Sequence, residues 1–179
     1  MHLKHPLIAA AFSVALYATG CSSQPQFDSI RTASLLTLYE GLPNGMYEED
    51  LLKGELKSKQ TIQLQDFAFY RESLEVKRDD ATKLSALIGD NAAFKDVSGL
   101  PKPCGGFHPD FAIQWSSGGR VYHCLICFGC DEVKLYDRDS VRYCDIAGDV
   151  RKGIKEVLKS YRKSRPESDH FKSIFEKDD

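Results

Sequence analysis

From Ser34 onward, short apolar runs alternate with turn-forming residues, and the spacing within each run sorts it as strand or helix. Ser34 to Glu40 (SLLTLYE) predicts a strand with apolar side chains on both faces, ended by the turn GLPNG at Gly41 to Gly45. Residues 48–56 place Leu51, Leu52 and Leu56 at helical spacing, with Gly54 as a weak point. From Thr61 to Val76 the chain reads as extended: Ile62 and Leu64 alternate with polar residues, then Phe67 and Phe69 take the opposite parity. A bend or bulge near Gln65 and Asp66 accounts for the change of phase. Asp79 to Gly89 opens on a capping aspartate, lines up Ala81, Leu84, Leu87 and Ile88, and stops at glycine, which predicts a helix.

Asp90 to Pro109 is a long irregular segment rich in glycine and proline, of the kind that is usually functional or disordered. Three strands follow, Phe111 to Trp115, Val121 to Phe128 and Glu132 to Tyr136, the first two joined by the hairpin connection SSGGR. Val121 to Phe128 is apolar on both parities, so it is expected in the middle of a sheet, covered on both sides. Asp149 to Lys163 repeats Val150, Ile154, Val157, Leu158 and Tyr161 at helical spacing. The order of elements predicts one α+β domain over residues 31–165, an antiparallel sheet of about five strands with two or three helices packed on one face. Residues 166–179 are expected to fray.

The N-terminus changes the picture of where this domain works. Lys4 precedes the apolar stretch LIAAAFSVALYA from Leu7 to Ala18, which is too short to span a bilayer and has the form of an export signal. Ala18, Thr19 and Gly20 then stand directly before Cys21, an arrangement that resembles the lipobox of bacterial lipoproteins, although leucine is commoner than alanine at the position of Ala18. The resemblance implies cleavage after Gly20, a diacylglycerol on the Cys21 sulfur and an acylated amino terminus. With Ser22 next, it also implies sorting to the outer membrane, facing the periplasm. Several acyl chains hold far more firmly than one, at about 0.8 kcal/mol per buried methylene. Residues 21–30 then read as a polar tether. A net charge of −2 suggests neither a nucleic-acid footprint nor an acidic tail.

In an exported chain, sulfur is expected to be oxidised. Besides Cys21 the chain has Cys104, Cys124, Cys127, Cys130 and Cys144, an odd number, so at least one thiol stays free within one chain. Cys124 lies mid-strand among apolar neighbours and suits the role of a buried free thiol. Cys104, Cys127, Cys130 and Cys144, near chain reversals, are the disulfide candidates. Other chemistries compete for the stretch HCLICFGCDE, His123 to Glu132. A ferredoxin-type cluster fails because Lys134 occupies the fourth cysteine position, and haem attachment fails because Asp131 follows Cys130. A zinc site would use Cys127 and Cys130 with Cys104 and Cys144 or with His108 and His123, but the chain has no second, separate Cys-x-x-Cys pair outside this run. Thiol-disulfide exchange at Cys127 and Cys130 lacks the helix N-terminus that activates such sites.

The long segment offers a candidate binding loop, Cys104 to Phe111 (CGGFHPDF). Gly105 and Gly106 permit backbone shapes closed to other residues, Pro109 pins the chain, and His108 and Asp110 supply polar chemistry. Cys104 with His108, or His108 with Asp110, also has the makings of a nucleophile and base, without an assignable oxyanion hole. The motifs CGGFHPD, the tryptophan-ended strand, CFGC and YRKSRPE together resemble a family of small exported bacterial proteins with no assigned activity, over roughly Leu35 to Glu167. That resemblance implies a shared fold and no catalytic residues. Lys152, Lys155, Lys159, Arg162 and Lys163 form a basic stripe on the last helix, readable as a solvated face or as a contact with anionic headgroups.

The expectation is a lipid-anchored envelope domain that binds or scaffolds a protein or small-ligand partner, with no cofactor, no metal and no nucleic acid. The alternative is a redox or zinc protein using the CFGC cysteines. Protein extracted from the envelope of a bacterial host is expected, by intact mass, to begin at Cys21 and carry a diacylglycerol with an amide-linked acyl chain; Cys21→Ser removes both, and an unmodified native mass would end the anchor reading.

Overall fold

The computed structural model describes residues 25–97, 99, 102 and 104–176. The export signal, the lipidation position Cys21 and the first part of the expected tether lie outside the described residues. The chain builds an α+β domain in which one eight-stranded antiparallel sheet curls into a half-barrel. Its strands are β1 (Leu36–Gly41), β2 (Thr61–Leu64), β3 (Phe67–Glu75), β4 (Phe94–Asp96), β5 (Phe111–Ser117), β6 (Arg120–Cys127), β7 (Glu132–Tyr136) and β8 (Val141–Ile146). They lie in the order β2-β3-β1-β5-β6-β7-β8-β4.

Side-chain alternation gives each strand two faces, and the register aligns those faces across the sheet. Leu38 pairs with Ile113, Ile113 with Cys124 and Cys124 with Leu135, so one buried apolar row crosses four strands. Trp115 pairs with Tyr122 in the neighbouring row, their rings stacked at 5.6 Å. This face carries the main core. The helices cover it because each repeats apolar residues three or four apart. Those residues are Phe27 and Ile30 in α1 (Pro25–Ile30), and Leu84 and Ile88 in α3 (Arg78–Ile88). In α4 (Gly148–Lys159) they are Val150, Ile154, Val157 and Leu158, and in α5 (Asp169–Glu176) Phe171 and Phe175. Helix α2 (Glu49–Ser58) buries no side chain and is tied to the sheet where the Tyr70 hydroxyl donates to Glu55 at 2.7 Å.

The opposite parity builds a second, smaller core from Leu64, Phe69, Ala112, Leu125 and Tyr136. No helix contributes to it. The turn of the β2–β3 hairpin folds over it instead, bringing Gln65 within 3.2 Å of His123 on β6. Burial keeps the His123 imidazole below its ordinary value. A neutral ring with its proton on Nε2 then donates to Gln114 and accepts from Gln65. Strand β6, covered on both faces, occupies the central position that its apolar pattern indicates.

Four expectations are corrected. The sheet has eight strands rather than about five: β4 is three residues long, below any readable period, and β8 carries Arg142 and Asp145 among its apolar residues. The change of phase at Gln65 and Asp66 is a hairpin turn, not a bulge, with Gln65 at φ 54°. Residues 25–30 of the expected tether form α1, fixed by the Trp115 indole donating to Ser29 at 2.9 Å. The expected frayed tail contains α5, whose Phe171 is 2% exposed. The basic stripe is also interrupted, since Lys155 is buried with its ammonium 5.7 Å from the Phe175 ring, and the Arg162 guanidinium lies 3.5 Å over Phe171. Among the described residues no helix is long and apolar enough to cross a membrane.

Helix α5 therefore belongs to the core. Phe171→Ala is expected to lower the unfolding free energy by about 3 to 5 kcal/mol in a urea titration; a loss below about 1 kcal/mol would mean that α5 docks without supporting the fold.

Candidate functional site

The segment before β5 is held to the sheet at several points. Lys102 reaches Asp145 at 2.6 Å, Glu132 at 3.1 Å and the Cys130 carbonyl at 2.7 Å. The two carboxylates outweigh the effect of burial and hold the Lys102 ammonium above its ordinary value. Glu132 also accepts from the Tyr143 hydroxyl at 2.5 Å. Phe107 joins Phe67 and Tyr143 around the Lys134 ammonium, which sits 4.6 to 5.2 Å from the three ring centres. The Cys104–Cys130 disulfide adds a covalent tie. Two glycines make the close passage feasible. Gly105 has φ +74°, and a Cβ there would run into Met46 Sδ; a Cβ on Gly41 would meet the Pro109 carbonyl.

Asp110 is the junction of this region. Its backbone carbonyl accepts from Gly41 at 2.8 Å and its backbone N–H donates to Ile126 at 2.7 Å. Its buried carboxylate accepts from the Phe128 N–H at 2.8 Å and from Arg165 Nη1 at 2.8 Å. Arg165 Nη2 donates to Glu48 at 2.6 Å, so one guanidinium joins two buried carboxylates. Glu48 also accepts from the Asn44 N–H at 2.8 Å and from the Ser168 hydroxyl. Burial by itself raises the Glu48 carboxyl, but Ser168, Arg165 and the Asn44 amide outweigh it and hold the group below its ordinary value. Nearby, Glu40 accepts from the backbone N–H groups of Lys163 at 3.0 Å and Ser164 at 2.6 Å, clamping the strap that delivers Arg165.

Above this network opens a cleft of about 510 Å³. The floor is Asp110, Arg165, Phe128 and Cys127; His108 and Cys104 come from the loop, and Asn44 and Tyr47 from the segment after β1. Tyr47 stacks on His170 of α5 with ring centres 4.3 Å apart. Arg151 and Asp131 form an ion pair at the wall, and Arg151 also donates to the Phe128 carbonyl at 3.2 Å. Burial keeps the His108 imidazole below its ordinary value, in spite of Asp110 and a hydrogen bond with the Pro43 backbone. His108 is neutral at pH 7.

The structure gathers His108 and Asp110 of the candidate loop at the cleft, while Gly105 and Gly106 are exposed beside it at positive φ. Cys104 and Cys130 are bridged, Cys124 is a buried free thiol, and Cys144 is buried in β8 with its sulfur not free. Cys127 requires a correction, since it is a buried free thiol rather than a bridge member. Cys130 turns away to meet Cys104 across the β6–β7 turn, which leaves Cys127 facing the cleft. The bridge also takes up two sulfurs of the four that an all-cysteine zinc site needs. Burial, with Asp110 close by, pushes the Cys127 thiol up to about 12, so it is protonated at neutral pH.

Sequence reasoning missed Glu48, Arg165, Tyr47 and His170. Arg165 sits in the motif YRKSRPE, where it reads as one more surface cation, and Glu48 reads as the start of a solvated helix. The one available signal was Pro166 after Arg165, which disfavours helix in the residues just before it.

The depressed values of Glu48 and His108 act in the same direction. Across each window the unfolded chain binds more protons than the folded one, so stability rises with pH. The unfolding free energy is expected to decline as pH falls below 6.5, through His108 and His123, and again below 4.5, through Glu48. In urea titrations at stepped pH, His108→Gln should lessen the first decline, leaving the share of His123, and keep the second; an unchanged first decline would assign it to His123 alone.

No family model, no curated protein and no solved structure matches this chain, so its reading rests on the site itself.

Proposed function

We propose that this chain is a small-ligand-binding domain of an oxidising extracytoplasmic compartment, held at a membrane by acylation of Cys21, and that its ligand is a small neutral polar molecule. The anchor rests on the Ala18–Thr19–Gly20–Cys21 junction alone. The compartment is supported by the Cys104–Cys130 disulfide, because such bonds persist where the milieu is oxidising.

The observation that carries the ligand class is the pairing of charge around the cleft. Asp110 and Glu48 share Arg165, and Asp131 takes Arg151. An anionic ligand would have to take Arg165 from a buried carboxylate and leave that charge uncompensated, which costs several kcal/mol, and a cationic one would meet Arg165 and Arg151 on the cleft lining. A neutral ligand with both donors and acceptors faces no such cost. The cleft has the size of a small-molecule site and mixes polar groups with the Tyr47–His170 stack. Catalysis is less well supported, because the cleft's one free thiol, Cys127, is protonated at neutral pH.

The test is an NMR titration of histidine-labelled protein. Glucose, N-acetylglucosamine and glycerol serve as neutral probes, and succinate, phosphate and putrescine as charged ones. Neutral probes are expected to shift the His108 and His170 ring signals saturably, and Tyr47→Ala to weaken that binding about tenfold. Shifts caused only by charged probes, or silence of both rings across the panel, would overturn the reading.

A further inference from the structure

We infer that the free thiol Cys127 and the Cys104–Cys130 disulfide form an internal exchange pair, which moves the crosslink onto Cys127–Cys130 and unlatches the loop that carries His108 and Asp110.

The argument starts from where the free sulfur lies. Cys127 is the last residue of β6 and pairs with Glu132, the first of β7, so residues 128–131 form the turn between them. Asp131 closes that turn at φ 57°. The Cys127 sulfur accepts hydrogen bonds from two backbone N–H groups, those of Cys130 and His108. The first belongs to the turn and the second to the loop. These are the two segments that the disulfide joins, and Cys127 stands between them. Cys104 and Cys127 also line the same cleft, so the leaving sulfur opens toward solvent and not into the core.

The step balances without an external oxidant or reductant. Hydroxide removes the Cys127 proton, and the thiolate sulfur forms a bond to Cys130 Sγ. The Cys104–Cys130 bond breaks, its electron pair leaves on Cys104, and that thiolate takes a proton from water. One disulfide and one thiol exist before and after. What changes is the span of the crosslink, from 26 residues to the three that separate Cys127 from Cys130. Lys102 and Asp110 then hold the loop by ion pairs and hydrogen bonds, with no covalent tie. The high thiol value of Cys127 keeps the exchange slow at neutral pH and makes its rate rise tenfold per pH unit.

The experiment treats the native, unreduced protein with iodoacetamide at pH 7, 8, 9 and 10, quenches with acid and maps the cysteines without reduction. The adduct is expected on Cys104, the residue bridged in the structure, together with a new Cys127–Cys130 disulfide, at a rate rising tenfold per pH unit. Cys127→Ser is expected to abolish the Cys104 adduct. Cys124, fully buried and with its thiol raised further still, reports on unfolding. An adduct on Cys127 with the original bridge intact, an adduct on Cys130, no adduct by pH 10, or labelling of Cys124 at the same rate as Cys104 would each overturn the inference. The wild-type series decides the matter even if the variant fails to fold.

Discussion

The buried ion triad of Glu48, Arg165 and Asp110 is the constraint on which the site depends. Three segments far apart in the chain meet there: the turn after β1, the loop before β5 and the strap after α4. A buried pair contributes little net stability once desolvation is counted, but removing one partner is costly because the other charge stays behind. The triad therefore selects one arrangement of the three segments more than it strengthens the fold. Backbone amides of Phe128 and Asn44 take up further lone pairs of the two carboxylates. The cleft inherits its shape from that arrangement, since Asn44, Asp110 and Arg165 all line it.

The two faces of the sheet divide the remaining work. The larger core under the helices supplies apolar burial, with Trp115, Phe111 and Leu38 at its centre. The smaller one is closed by the β2–β3 hairpin and by Phe107, so the second face is also withdrawn from water. Lys134 lies where a hydrophobic side chain would be expected and is accommodated by three aromatic rings instead of a carboxylate. Loop, hairpin and β8 thus meet on one cation, and the candidate loop is positioned from both faces of the sheet.

Regular elements with a clear period were legible in the sequence. The strand at β6, the helices α3 and α4 and the hairpin into β6 all follow from apolar spacing. The elements that escaped were short or mixed: β4 offers three residues, and α1 is readable only once Trp115 is known to face Ser29. Helix α5 did carry a signal, Phe171, Ile174 and Phe175 at spacings of three and one, but the charges around it read as a solvated end. The site was half legible. Glycine, histidine and aspartate in the loop have local chemistry that draws attention, whereas Glu48 and Arg165 become meaningful only when folding brings residues 117 positions apart into contact. The cysteines show the same limit, because which sulfur Cys130 meets depends on where the long segment crosses the β6–β7 turn.

The position of Arg165, after both of its acidic partners in the chain, governs the order in which the site can close. A polypeptide emerging amino terminus first exposes Glu48 and Asp110 long before their shared counter-charge is made, and Phe171 and Phe175 arrive later still. Until residue 165 has been made, two acidic groups have no cationic mate, and until residue 175 the helical side of the core lacks its last layer. The cleft that these segments shape therefore assembles only after residues 165–175 have joined the rest.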